Sequence, residues 1–153
     1  MSLSRSKKRI LADFKNYINN KPGLTYISVC NDDIQNVKVL IIGPSGTPYQ
    51  HGHFFIDLKF TDNYPFEPPK GTFKTTDGKI RMNPNLYQDG KICLSILGTW
   101  SGPSWSIVQN LTSIIISIQS LLTEFPLRNE PGYEKCSEKE SKLINYNNYV
   151  KFH

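Results

Sequence analysis

A cysteine and an asparagine eight residues before it are the residues in this sequence best suited to covalent chemistry. Cys93 follows Asn85 within residues 83–100. Neither a histidine nor a second cysteine lies nearby in the sequence, so this stretch favours neither a metal site nor a disulfide. A thiol beside an amide donor suits nucleophilic acyl transfer, because the developing oxyanion needs a hydrogen bond. The alternatives are a buried, unreactive thiol for Cys93 and a brace within its own loop for Asn85.

Length and composition predict one globular domain over residues 1–153. Hydrophobic residues make up 38% and charged residues 20% of the chain, as expected for a folded protein with a sizeable core. The longest apolar stretch, residues 107–122, is too short and too polar to cross a bilayer, and the N-terminus does not resemble a signal peptide. The formal charge of +5 does not come from a basic stripe with interleaved aromatic residues. We therefore expect neither a membrane nor a nucleic acid as a partner.

The cysteines suggest a reducing compartment, the cytoplasm or the nucleus. Cys30, Cys93 and Cys136 are few, odd in number and without a Cys-x-x-Cys pair, which favours free thiols. His51 and His53 are expected to flank a turn rather than to bind zinc. No metal ion or other cofactor is expected.

The hydrophobic patterning predicts an α+β fold. Helical periodicity covers residues 3–19, and strand-like runs follow at 24–30, 37–42, 54–61 and 70–74. The short connections between these runs favour an antiparallel four-stranded meander.

The second half of the chain is expected to carry the reactive residues between helices. Residues 75–105 show no sustained period, and so long an irregular stretch in a compact domain is usually functional. A buried central helix is predicted over residues 106–122, opened by a capping box of Ser106 with Gln109. A C-terminal helix is predicted over residues 138–153.

Several of these motifs, taken in order, resemble the ubiquitin-conjugating enzymes. They are the Asn83-Pro84-Asn85 signature with Cys93, the proline-rich segment 64–69, and Trp105-Ser106 before the long helix. The family signature is His-Pro-Asn, and Asn83 stands at its histidine position. The stretches 81–85, 95–105 and 129–134 further resemble the subgroup of large conjugating enzymes, which also has asparagine there and a Gly-Thr-Trp insertion after the cysteine.

The resemblance implies a fold, an activity and a catalytic set. The fold would be that of the UBC domain. The activity would be transfer of ubiquitin or a ubiquitin-like modifier from an activating enzyme, through a thioester on Cys93, to a lysine of a protein substrate. Asn85 would stabilise the oxyanion, and Asn129 or Glu130 would orient the incoming lysine. For Glu130, a solvated loop residue is the alternative.

The resemblance also implies two docking surfaces. The activating enzyme would bind basic residues of the first helix, namely Arg5, Lys7, Lys8 and Arg9. A ubiquitin ligase would bind two loops, through Phe66 and through Ser106, Ile107 and Val108. The second loop reads Trp-Ser-Pro-Ala in the family, so Ile107 in place of the proline argues against ordinary RING-type ligases. The short C-terminus suggests that the family's last helix is missing.

Two other classes of function fit parts of the sequence. Some relatives keep the fold without catalysis and only bind ubiquitin or a partner, but they lack the cysteine that is present here as Cys93. A cysteine hydrolase would need a histidine base, and the residues flanking Cys93 provide none.

Overall fold

The computed structural model describes residues 3–30 and 33–152 of the chain. It contains three helices, α1 (Arg5–Asn19), α2 (Leu111–Gln119) and α3 (Ser141–Lys151). The strands are β1 (Thr25–Cys30), β2 (Asp33–Ile42), β3 (His53–Lys59) and β4 (Lys70–Phe73). They form one sheet in the order β1-β2-β3-β4, and each strand is antiparallel to the next. The predicted α+β class and four-stranded meander are confirmed.

The core forms where alternating apolar residues of the sheet meet the helices. Phe54, Ile56 and Leu58 of β3 are buried, whereas the intervening Phe55 is exposed. They pair with apolar residues of β2 that are also buried, for example Val39 opposite Ile56. This alternation follows from the two-residue period of a strand. Residues of α1 and α2 join the same cluster.

The second strand begins at Asp33, four residues before the predicted start at Val37. Three of its first four residues are polar and none of the four is fully buried, so Ile34 alone does not give an alternation from which a strand could be recognised. They are nevertheless tied into the sheet, because Asn36 pairs with Lys59 and the Asn36 amide donates to Asp33 at 2.6 Å. Pairing with the neighbouring strand, and not a hydrophobic pattern, therefore determines where β2 begins.

The predicted capping box at Ser106 is wrong, because α2 begins at Leu111 with Asn110 as its cap. Ser106 N–H does donate to Gln109 Oε1 at 2.9 Å, but this bond closes an isolated turn. The true box is reciprocal: Ser113 N–H donates to Asn110 Oδ1 at 3.0 Å, and Asn110 N–H donates to Ser113 Oγ at 2.9 Å. The residues before Leu111 lie outside the helix, because Asn110 is extended (φ −144°, ψ 178°) and the Leu111 N–H donates to Asp13. Arg9 also binds the carbonyls of Ile107 (2.9 Å) and Gln109 (2.6 Å).

A buried carboxylate joins α1 to the start of α2. Asp13, which is 3% exposed, accepts from Arg9 Nε at 2.8 Å and from Leu111 N–H at 3.1 Å. It also accepts from the Tyr64 hydroxyl. A buried charge is tolerated when it is paired and hydrogen-bonded in this way. Trp105 Nε1 donates to Pro65 O at 2.7 Å and links the loop before α2 to the proline-rich segment.

Candidate active site

Asn83, the first residue of the Asn-Pro-Asn signature, is fully buried, and its amide makes three hydrogen bonds. Asn83 Nδ2 donates to the Tyr49 hydroxyl and to Leu121 O, both at 2.8 Å. Its Oδ1 accepts from Asn85 N–H at 2.8 Å. Burial raises the pKa of Tyr49 far above its usual value, so this hydroxyl stays neutral and donates to Met82 O at 2.8 Å. The amide of Asn83 thus fixes the loop that presents Asn85.

Asn85 forms hydrogen bonds with both the N–H and the carbonyl oxygen of the Cys93 backbone. Cys93 N–H donates to Asn85 O at 2.8 Å, and Asn85 Nδ2 donates to Cys93 O at 2.9 Å. Cys93 is a free thiol and only 1% exposed. Within the described part of the chain, the buried Oδ1 of Asn85 has no hydrogen-bond partner. The amide of Asn85 thus lies against the backbone of the cysteine eight residues later.

A threonine that follows Cys93 in the sequence, Thr99, ties its own segment to the backbone on both sides of the cysteine. Thr99 Oγ1 accepts from Leu94 N–H at 2.9 Å and lies 2.5 Å from Ile92 O. Both backbone groups belong to the immediate neighbours of Cys93. The next residue, Trp100, is 45% exposed. The Gly98–Thr99–Trp100 segment is thus anchored beside the cysteine, and its Trp100 side chain is exposed to solvent.

Tyr87 is a site residue that the sequence reasoning missed. A hydrogen bond to Cys93, with burial as a second cause, raises the pKa of Tyr87. Its backbone closes a tight turn, with Tyr87 N–H donating to Lys91 O at 2.9 Å and Gly90 N–H donating to Tyr87 O at 3.0 Å. Gly90 has φ of 91°, which favours glycine. The Asp89-Gly90 pair in the sequence marks this turn, and the turn is what brings Tyr87 back towards the cysteine.

The structure separates the two candidates for orienting lysine. Asn129 Nδ2 donates to Leu121 O at 3.2 Å, the same carbonyl that Asn83 binds, so its amide is used to hold the chain after α2. Glu130 instead reaches the active-site loop, where its Oε2 lies 3.2 Å from Arg81 Nη2. Both side chains of this ion pair are partly exposed, at about one-third. Of the two candidates, Glu130 is therefore the one that contacts a residue of the active-site loop.

The predicted docking residues on α1 differ in their exposure and in whether their charge is already bound by other groups. Arg5 and Lys8 are exposed and Lys7 is half-buried on α1. Arg9 is committed to Asp13 and to two carbonyls before α2, so its charge is not freely available to a partner.

The two predicted ligase-binding loops lie together, because Trp105 joins them through Pro65. Phe66 is 63% exposed and Val108 is 80% exposed. Ser106 and Ile107, which directly precede Val108, are also exposed. The two loops are thus adjacent, the second also contacts the first helix through Arg9, and each exposes apolar side chains.

Across residues 3–30 and 33–152, the helices are all too short or too polar to span a lipid bilayer.

The fold and the site define an α+β protein with a cysteine held by an asparagine in an irregular loop between a meander and a central helix. A family model described as ubiquitin-conjugating enzyme matches residues 9–152. The chain belongs to the ubiquitin-conjugating enzyme family.

Individual relatives agree with this assignment. The chain is 42% identical over 144 residues to ubiquitin-conjugating enzyme E2 Z of Xenopus tropicalis, covering 94% of this chain and 46% of that protein. The human E2 Z is 41% identical over 150 residues, with 97% and 41% covered. The chain thus spans less than half the length of these curated relatives. The structure of human ubiquitin-conjugating enzyme E2 G1 is similar with a TM-score of 0.68 and 30% identity, covering 80% of this chain and 98% of that one.

Proposed function

We propose that this protein is an active conjugating enzyme that carries ubiquitin or a ubiquitin-like modifier as a thioester on Cys93 and transfers it to a lysine. The observation that carries the proposal is the double contact between Asn85 and the Cys93 backbone, in a chain that belongs to this family. The contact holds a free thiol and an amide donor in a fixed relation. A member that only binds its partners would need neither group.

The chemistry divides into two steps. In loading, the Cys93 thiolate attacks the thioester carbonyl on the activating enzyme, and the activating enzyme's cysteine leaves as a thiolate. In discharge, a neutral lysine amine attacks the new thioester and a tetrahedral oxyanion forms. The nitrogen loses a proton to water, and the Cys93 thiolate leaves as the amide bond is completed. An N–H donor about 3 Å from the oxyanion lowers this barrier. Asn85 Nδ2 gives one N–H to Cys93 O and has a second N–H to offer.

The finer identity is part of the proposal. Asn83 in place of histidine and the anchored Gly98–Thr99–Trp100 insertion support membership of the subgroup of large conjugating enzymes. The similarity to E2 Z proteins of frog and human is consistent with that subgroup. We propose that residues 1–153 form one catalytic core domain that acts in the cytoplasm or the nucleus.

The partners follow from the two surfaces. We place the activating enzyme on the basic residues of α1, of which Arg5, Lys7 and Lys8 have free charges. We place a ubiquitin ligase on the apolar surface formed by Phe66, Ile107 and Val108, with Ser106 between the loops. The protein substrate supplies the lysine.

Loading on Cys93 tests the proposal directly. The protein is incubated with ubiquitin, a ubiquitin-activating enzyme and ATP, and in parallel with other modifiers and their activating enzymes. We expect a mass gain of one modifier that dithiothreitol removes. Cys93→Ser should give an ester that resists dithiothreitol, because an alkoxide leaves less readily than a thiolate, and Cys93→Ala should give no adduct.

Two outcomes would contradict the proposal. A thiol-sensitive adduct that persists in Cys93→Ala would place the thioester on another cysteine, such as Cys136. Failure of the wild-type protein to load with any modifier, while it still binds ubiquitin or a ligase, would identify it as a binding module without catalysis.

A further inference from the structure

Arg81 is the point at which three separate parts of the site meet. Its Nη2 donates to Pro84 O in the active-site loop and lies 3.2 Å from Glu130 Oε2 beyond α2. Its guanidinium carbon lies 4.1 Å from the centroid of the Tyr87 ring. In addition, the Tyr146 hydroxyl of α3 donates to Arg81 O at 3.4 Å. The sequence analysis assigned no role to this residue.

An exposed ion pair would be the simplest account of Arg81 and Glu130, and such pairs typically contribute about 0–1 kcal/mol. The surroundings of Arg81 argue for more than that. The same nitrogen that meets the carboxylate also binds a backbone carbonyl, and the plane of the group lies against an aromatic ring, a combination that arginine alone provides. Its Nε is buried, which limits the directions in which the side chain can turn.

The two side chains that Arg81 contacts are tied through it to the loop that holds Cys93. Arg81 binds Pro84 O, and the next residue, Asn85, contacts the Cys93 backbone. The pKa of Tyr87 is raised, with a hydrogen bond to Cys93 as the largest cause. Glu130 is bound through Oε2, and among the described residues its Oε1 accepts no hydrogen bond. A carboxylate fixed at one oxygen can receive an ammonium at the other, since it accepts hydrogen bonds at both.

We propose that Arg81 is a positioning residue for transfer to lysine, which holds Glu130 and Tyr87 beside Cys93 so that the free oxygen of Glu130 receives the amine of the substrate. This inference rests on the proposed function, and it assigns Arg81 to discharge and not to loading. Loading exchanges one thioester for another and involves no ammonium. The guanidinium also offsets the charge of Glu130, so the incoming cation is directed by geometry and not by a strong net negative field.

The test compares two nucleophiles on the same thioester. Free lysine presents an ammonium that must be placed and deprotonated, whereas hydroxylamine is a weak base that reacts without that help. The variants are Arg81→Gln, Arg81→Lys, Glu130→Gln and the double variant Arg81→Gln with Glu130→Gln. The control is Lys79→Gln, which removes an exposed positive charge two residues away. Each charged protein is freed from activating enzyme before single-turnover discharge is followed.

We expect Arg81→Gln to slow discharge to lysine by about 10-fold or more, because a displacement of about 1 Å in a positioned group costs up to about 10²-fold in rate. Loading and the reaction with hydroxylamine should not change, and Arg81→Lys should recover part of the lysine rate. The double variant should be no slower than the slower single variant, because the two residues act through one contact. Lys79→Gln should behave as wild type.

Three results would overturn the inference. An equal loss with lysine and hydroxylamine would show that Arg81 supports only the loop of Pro84. Additive effects in the double variant would show that Arg81 and Glu130 act separately. A wild-type lysine rate in Arg81→Gln would remove the role altogether. If thermal unfolding shows that Arg81→Gln does not fold, the same comparison is decided with Arg81→Lys. Failure of the wild-type protein to load would instead refute the proposed function itself.

Discussion

Replacing Asn85 with alanine should separate catalysis from stability. The substitution removes the bond from Nδ2 to Cys93 O, which is worth about 0.5–1.5 kcal/mol. It also removes Oδ1, which is buried without a partner, and leaving such a group unpaired costs about 1–3 kcal/mol. These contributions are of similar size and opposite sign. The free energy of unfolding should therefore change by no more than about 1–2 kcal/mol in either direction.

The effect on discharge should be much larger. Loss of one oxyanion donor typically costs about 10²–10³-fold in rate, and we expect Asn85→Ala to discharge to lysine at least about 10-fold more slowly while it loads almost normally. Loading is measured under excess activating enzyme, discharge in single turnover, and stability by urea denaturation. Gln88→Ala, an exposed residue of the same loop, is the matched control.

The interpretation of Asn85 as an oxyanion donor has a clear refutation. Unchanged discharge in Asn85→Ala, with Cys93 still loaded, would leave Asn85 as a brace for its own loop. A loss of several kcal/mol in stability, with loading and discharge reduced together, would mean that the amide mainly holds the cysteine in place.

Three further predictions concern Asn83 in the active-site loop, the basic residues of α1, and the access of reagents to the Cys93 thiol. Asn83→Ala should lower the free energy of unfolding in urea by about 2–3 kcal/mol, because it removes three buried hydrogen bonds. Lys8→Glu should slow loading in a salt-dependent way with an unchanged Tm, whereas Arg9→Glu should cost about 2–3 kcal/mol, because the partly exposed Arg9 is the partner of a buried carboxylate. If the Tyr87 ring covers the Cys93 thiol, Tyr87→Ala should speed alkylation of Cys93 by iodoacetamide, whereas Tyr87→Phe should leave the rate unchanged. Equal rates in the wild type and both variants would refute this role of the ring.

The fold was predictable where local pattern and tertiary environment agree. The alternation of Phe54, Ile56 and Leu58 is a local signal, and one buried face of the sheet enforces it. The relation between Asn85 and Cys93 was also accessible, because both lie in one short segment whose turn is marked by Asp89-Gly90. In both cases neighbours along the chain carry the information.

The parts that failed or were missed depend on distant partners. Arg9 binds the segment before α2 although it lies 98 residues from Ile107, and no pattern near Ser106 indicates that contact. Likewise, Arg81 meets Glu130 across 49 residues of sequence, so their pairing is visible only in three dimensions. Arg9 was also predicted to be one of the residues that bind the activating enzyme. The periodicity of α1 predicted the burial of Ile10 and Tyr17, but Leu11 and Ile18 are exposed. It could not show that Arg9 is bound by the segment before α2.

The contacts of Arg9 also bear on the loop that lacks the family's proline. Proline stiffens a loop by restricting its backbone. Here the carbonyls on both sides of Val108, those of Ile107 and Gln109, are bound by one guanidinium that is itself fixed by Asp13. The loop is thus held by hydrogen bonds from the neighbouring helix, and its apolar side chains remain exposed next to Phe66. Loss of the proline therefore does not require loss of the surface. Arg9→Glu should weaken ligase binding together with stability, whereas Lys8→Glu should leave both unchanged and affect loading alone.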